Sequence, residues 1–149
     1  MMLKRFTVLV MLAIFLCGCS AQRPMRYTEE HIDKIELVIS ENAGEVDPPD
    51  SVIVCTLTGD EIAGFMDKID QLICYKSFSP QGYYGTYEVR FYYSNGDVDM
   101  IGSTANGYIE DGEEICHGWY SYRTEDLEKL FEEYTAADTE EQRDSSLDS

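Results

Sequence analysis

Basic side chains are scarce in this chain: 11 Lys and Arg stand against 29 Asp and Glu, a formal charge of −18 over 149 residues. Nucleic-acid recognition needs clustered Lys and Arg on phosphate, so the imbalance argues against that class of ligand. It argues equally against a body lying flat on anionic lipid, which attracts basic surfaces. Histidine is rare too, at two residues, and no G-x-S-x-G, H-E-x-x-H or Gly-rich phosphate loop occurs. Together these absences point away from an enzyme, and no cofactor is expected. No C-x-x-C pair exists, which removes support for zinc and thioredoxin-type readings. The apolar run Phe6–Leu16 covers 11 residues, too few for a hydrocarbon core that takes about 20.

That run is preceded by Lys4 and Arg5 and followed by small residues, the order of a secretory signal. Its end, Leu16-Cys17-Gly18-Cys19, resembles the lipobox of bacterial lipoproteins, with Leu16 at −3, Gly18 at −1 and Cys19 at +1. Cys17 fits less well, since Leu16 would then stand at −1. The resemblance implies that residues 1–18 are a signal peptide and that Cys19 is diacylglycerylated and becomes the mature N-terminus. The protein would then sit at the outer face of the cytoplasmic membrane, its membrane partner reached through the lipid. An ordinary cleaved signal peptide is the alternative. Loss of Lys4 and Arg5 leaves nine basic residues against 29 acidic ones, a charge of −20. Two or more acyl chains still hold such a body, at about 0.8 kcal/mol per buried CH₂.

Residues 19–31 read as a polar tether containing Pro24, long enough to lift a domain clear of the headgroups at up to about 3.4 Å per residue. A single domain is expected over 32–135. Ile35, Leu37 and Ile39 alternate along a first strand, with Lys34, Glu36 and Ser40 on its other face. Glu41 to Asp50 reads as loop. Ser51–Leu57 is apolar and β-branched, which predicts a central strand. Thr58-Gly59-Asp60-Glu61 matches a capping box, and Ile62, Phe65, Met66, Ile69, Leu72 and Ile73 predict an amphipathic helix of about four turns.

From Thr86 the period becomes two, with Tyr87, Val89, Phe91 and Tyr93 on one face and Glu88, Arg90 and Tyr92 on the other. Asn95-Gly96 predicts a hairpin with positive φ at both turn positions. The return strand, Asp97–Ser103, is expected to turn Val98 and Met100 inward and Asp97 and Asp99 outward. Asn106-Gly107 and Asp111-Gly112 predict further tight turns around a short strand, Tyr108–Glu110, and a longer one, Glu114–Tyr122. Thr124 caps a last helix with Leu127, Leu130, Phe131 and Tyr134 on one stripe. Residues 136–149 lack periodicity and are expected to be a disordered acidic tail.

The order β-β-α-β-β-β-β-α predicts an α+β fold, an antiparallel meander sheet with both amphipathic helices packed on one face. The arrangement is similar to that of small Gram-positive lipoproteins of uncharacterised function, carried by Leu16–Cys19, Asn95-Gly96 and the final segment Tyr120–Tyr134. That resemblance implies no activity.

Within the domain, Cys55, Cys74 and Cys116 are an odd number and cannot form a complete disulfide framework, though one bridge stays open. Cys116 adjoins His117, but neighbours on a strand face opposite ways, so the two are not expected to form a nucleophilic dyad. Asp97 with Asp99, and Asp111 with Glu113 and Glu114, offer carboxylates for calcium, although a spacing of two is also what any solvent-facing strand shows. Tyrosine is the stronger lead. Tyr83 and Tyr84 lie in a Gly-flanked loop expected to be partly exposed, and Tyr92 and Tyr120 join them as candidate binding residues, alongside Trp119 and Tyr122. The expected role is a non-catalytic binding module for an envelope or secreted protein or a glycan. An inhibitor or immunity-type protein that neutralises a basic toxin or enzyme is the rival.

Overall fold

The computed structural model describes residues 31–41, 50–76 and 82–145, with side chains as far as Ala136. Cys19, the signal peptide and all of the tether except His31 lie outside the described residues. The elements run β1 (Ile32–Ser40), β2 (Ser51–Thr58), α1 (Asp60–Ile69), β3 (Tyr75–Lys76), β4 (Tyr87–Tyr93), β5 (Val98–Gly102), β6 (Asn106–Glu110), β7 (Glu113–Cys116), β8 (Tyr120–Ser121) and α2 (Thr124–Ser145). Six strands form one antiparallel sheet in the order β2-β1-β4-β5-β6-β7, and β3 pairs with β8 in a separate two-stranded ribbon.

The fold is α+β, as the alternation of periods predicts. Ile35, Leu37, Val89, Phe91 and Ile101 of the sheet share one core with Ile62, Phe65 and Met66 of α1 and Leu127, Leu130 and Phe131 of α2. Both helices therefore lie on the same face. Edge-to-face ring pairs lock them there, Phe65 on Tyr134 at 5.3 Å and Tyr87 on Phe131 at 5.2 Å. No helix among the described residues is long and apolar enough to cross a membrane.

Strand β2 is not the central strand expected. β1 lies between β2 and β4, whereas β2 is an edge, with Val52 and Ile53 55% and 51% exposed. Composition misled because a β-branched run suits any pleated surface, while the sheet order is set by pairing. β1 tolerates its interior place because Glu36 finds partners there. A bulge sits at Val54, where Leu37 faces Cys55 but Val38 faces Ile53.

α1 is shorter than its apolar stripe suggests. It ends at Ile69, and bonds from Gln71 N to Lys68 O and Leu72 N to Ile69 O tighten the exit. Leu72 still packs on the core but Ile73 is left exposed. Half of the capping box forms, since Glu61 accepts from Thr58 N at 3.1 Å while the helix is entered through Gly59 with no side-chain cap.

Four further expectations are corrected. β5 is buried on both faces, so Asp99 does not point to water: it lies on the helix side and accepts from Tyr93 Oη at 2.9 Å. The Asn95-Gly96 hairpin has positive φ at Gly96 alone, 91°, and closes with Gly96 N on Tyr93 O and Tyr93 N on Asp97 O, a three-residue loop with a glycine bulge. Asn106-Gly107 is no turn but the start of β6. The reversal occurs at residues 103–105, where Gly102 N bonds to Ala105 O at 2.7 Å. Finally, α2 continues to Ser145, ten residues into the stretch read as tail; Ala136 to Arg143 contains no Gly or Pro to stop it. Asp111-Gly112 is the tight turn expected, with φ of 53° and 82°.

Candidate functional site

Two regions of the domain concentrate polar or aromatic chemistry. The first is the sheet face away from the helices. Pairing registers line up Thr56, Glu36, Arg90, Met100, Gly107 and Cys116 in one row across six strands. Lys34 and Tyr92 face each other in the adjacent row. Glu36 receives Lys34 Nζ at 2.8 Å and Tyr92 Oη at 2.6 Å, and Lys34 also lies 3.9 Å from the centre of the Tyr92 ring. Arg90 Nε donates to Glu88. Burial alone would raise the Glu36 pKa, but Lys34, Tyr92 and Arg90 outweigh it and hold the carboxyl below its ordinary range. Glu88 goes the other way: burial raises it, and Arg90 offsets only some of that rise.

Tyr84 covers the far end of this face, in a cluster with Val98, Met100 and Ala105. Gly107 makes room for it, since a Cβ there would collide with Tyr84 Oη and Ile115 O. The Tyr84 hydroxyl has no hydrogen-bond partner among the described residues, and burial pushes its pKa up. Burial likewise raises the neighbouring Cys116 thiol, away from the thiolate a nucleophile uses. His117 turns to the opposite face, its ring 5.1 Å from that of Tyr108. Cys116 and His117 do not form a dyad. No disulfide joins Cys55, Cys74 and Cys116 to one another, and the described residues hold no cluster of His, Cys, Asp and Glu that could bind a metal.

The second region lies at one end of the sheet. Asn106 bends the chain out of β7: its carbonyl accepts from His117 N and Gly118 N at 2.7 and 3.2 Å, and its Oδ1 from Trp119 N and Tyr120 N at 3.1 and 2.8 Å. With Gly118 at a φ of 67°, the single long strand expected over Glu114–Tyr122 becomes two strands in two sheets. β8 then pairs with β3, placing Tyr75 opposite Ser121 and Lys76 opposite Tyr120. Cys74, Tyr120 and Tyr122 turn towards the core. Ile73, Tyr75 and Trp119 stand on the solvent side, 48%, 40% and 45% exposed. Tyr122 N bonds to Gly102 O at 3.0 Å, tying this ribbon to the end of β5. Arg123 beside it is engaged by Asp126 through two bonds of 2.9 Å.

This end is opposite the one at which the chain enters. Ile32 faces Tyr93, next to the Asn95-Gly96 hairpin, where Ser94 N bonds to His31 O. Gly102 pairs with Glu88, near Ser40 at the far end of β1. A nine-residue strand separates the two ends, about 30 Å at roughly 3.3 Å per residue.

Of the candidate tyrosines, Tyr83 is exposed at the ribbon end, its carbonyl accepting from Thr104 Oγ1. Tyr84 is buried, because its segment folds down over Gly102 and Gly107, and so offers no ring to a partner. Tyr92 belongs to the Glu36 network, and Tyr120 packs inward against the core. The structure does not bring these four together. Sequence reasoning overlooked Ile73, assigned to a helix, and Tyr75, whose two-residue strand has no periodicity to reveal it. Comparison with protein-family models, with curated proteins and with solved structures finds no match to this chain.

Proposed function

We propose that the protein is a non-catalytic interaction module, held at the outer face of the cytoplasmic membrane by lipid on Cys19, whose contact surface is the solvent side of the β3–β8 ribbon. The observation that carries the reading is the exposure of Tyr75 on the ribbon and of Ile73 and Trp119 immediately beside its two strands, while the ribbon's other side packs on the core. Aromatic groups held on paired backbone give large contact area at low entropic cost, the character of interface hot spots. The ribbon also lies at the end of the sheet remote from His31. A tether leading from Cys19 to that residue would aim it away from the bilayer.

The test is crosslinking of the intact protein on living cells, with mass spectrometry of captured species. A recurrent partner lost with Trp119→Ala and Tyr75→Ser, in variants that melt like the parent, supports the reading. A partner that survives both substitutions sinks it.

An inhibitor or immunity-type role is the second reading, favoured by the 29 acidic residues. Its mark is steep salt dependence of binding to a basic secreted protein, since exposed charge is screened within about 10 Å at 0.1 M salt.

A further inference from the structure

The chemistry of the partner follows from charge. Of the six basic side chains described in the domain, Lys34, Lys68, Arg90 and Arg123 are ion-paired with Glu36, Glu133, Glu88 and Asp126, and Lys129 stands on α2 among Glu125, Glu128, Glu132 and Glu133. Within the ribbon, Lys76 is paired opposite Tyr120 and lies 5.9 Å from the centre of that ring, on the side away from Tyr75. An anionic partner, whether an acidic protein or an acidic glycan, would meet cations mostly paired with carboxylates and a chain of charge −18. A second copy of this chain would meet the same repulsion. Arg123, beside Tyr75, has its charge offset locally by the Asp126 carboxylate, which it holds through two bonds. Among the described residues, the solvent side of the ribbon then presents one aliphatic group and two rings, beside the Arg123–Asp126 pair.

Aromatic faces carry negative electrostatic potential and attract ammonium and guanidinium groups, indole most strongly. We propose that the solvent side of the β3–β8 ribbon binds a cationic segment of a partner protein, a Lys or Arg side chain lying over Trp119 while apolar neighbours rest on Ile73 and Tyr75. The acidic body draws the segment in, and the ribbon supplies the short-range contact. Backbone bonds from Trp119 N and Tyr120 N to Asn106 hold this end of the ribbon in place before binding. The inference rests on the proposed interaction role and adds the sign and chemistry of what is bound.

Trp119 is the single tryptophan of the chain, so its fluorescence reports on this surface alone. The full chain in nonionic detergent is titrated with three synthetic peptides of alternating Val and Arg, Val and Gln, or Val and Glu, and with a neutral N-acetylglucosamine oligosaccharide. The expected result is a saturable change with the Arg peptide, at least tenfold tighter than with Gln and absent with Glu. Tyr75→Ser, and independently Ile73→Ser, should each weaken it about tenfold, with unchanged melting showing that the fold persists. Equal binding of the Arg and Gln peptides overturns the proposal. So does Arg-peptide binding indifferent to both substitutions, which would be the long-range field alone, or tighter binding of the oligosaccharide. If the peptides fail while cells still yield a Trp119-dependent partner, the cationic segment is wrong and the interaction role stands. If no Trp119-dependent partner exists, both fall.

Discussion

Asn106 Oδ1 accepts the backbone N–H of Trp119 at 3.1 Å, and of Tyr120 at 2.8 Å. One side-chain oxygen thus helps turn the chain from the main sheet into the ribbon and holds the backbone that carries the exposed indole. Asn106→Ala takes the acceptor from both donors and should cost about 0.5–1.5 kcal/mol, read by urea denaturation. Its Trp119 emission should show a freer indole, with peptide binding lost beyond what stability explains. Asn106→Asp keeps the acceptor and should recover the fixed ribbon; a variant as slack as Asn106→Ala would deny Oδ1 this role.

Gly107 and Tyr84 make a second pair of expectations. Gly107→Ala puts a Cβ against the Ile115 carbonyl and the Tyr84 hydroxyl, and overpacking of this kind costs about 1–3 kcal/mol or more. Tyr84→Phe removes a buried hydroxyl whose neighbour is the weakly hydrogen-bonding Cys116 thiol and should leave stability nearly unchanged. Tyr84→Ala should lose about 3–5 kcal/mol, in the manner of large aromatic truncations. It is therefore a probe of folding, and any binding loss it causes says nothing about contact.

Glu36 sets an acid limit. Its pKa is lowered in the folded protein, so its contribution is complete above the ordinary carboxylate range and disappears as pH falls through the folded value. Glu36→Gln should cost about 1–3 kcal/mol at pH 7, the difference closing on acidification. A difference that stays constant across denaturation curves from pH 7 to pH 3 would show that the charge is immaterial.

Glu88 acts with the opposite sign. Its pKa is raised, so between the unfolded and folded values the native state holds the extra proton, and stability falls as pH rises through that window. Glu88→Gln should be more stable than the parent at pH 7, the advantage shrinking as the parent takes up its proton. Loss of stability at pH 7 would mean that Arg90 needs the carboxylate more than burial penalises it.

Exposure separates contact from stability at the ribbon. Trp119 is 45% exposed and Tyr75 40%, so Trp119→Ala and Tyr75→Ser should shift stability by less than about 1 kcal/mol while abolishing partner capture. Circular dichroism melts run beside the crosslinking check this; a collapse of the melting transition would make the ribbon structural.

The fold was legible where one physical rule acted alone. Alternation placed Tyr87, Val89, Phe91 and Tyr93 towards the helices, and the helix stripes met the core they implied, except at Ile73. It was illegible where tertiary pairing chose between locally equal options. Nothing in Ser51–Leu57 distinguishes an edge from a centre, and Asn106-Gly107 is a turn dipeptide by composition. It became strand because Tyr84 needed a glycine beneath it and the departing chain needed the Asn106 amide. The site was the hardest feature to foresee, since Tyr75 owes its outward position to a two-residue pairing with a strand over forty residues away.

The placement of β1 has a mechanical consequence. It enters from His31 and is bonded along both edges, to β2 and to β4. Tension applied through the N-terminal segment and resisted at the ribbon would act along the strand, loading both ladders in shear so that many bonds must fail together. Entry through an edge strand, peeled from its end, would let the bonds break singly. A domain tugged by a captured partner at one end and by an anchor at the other would thus resist unfolding at its most heavily bonded strand.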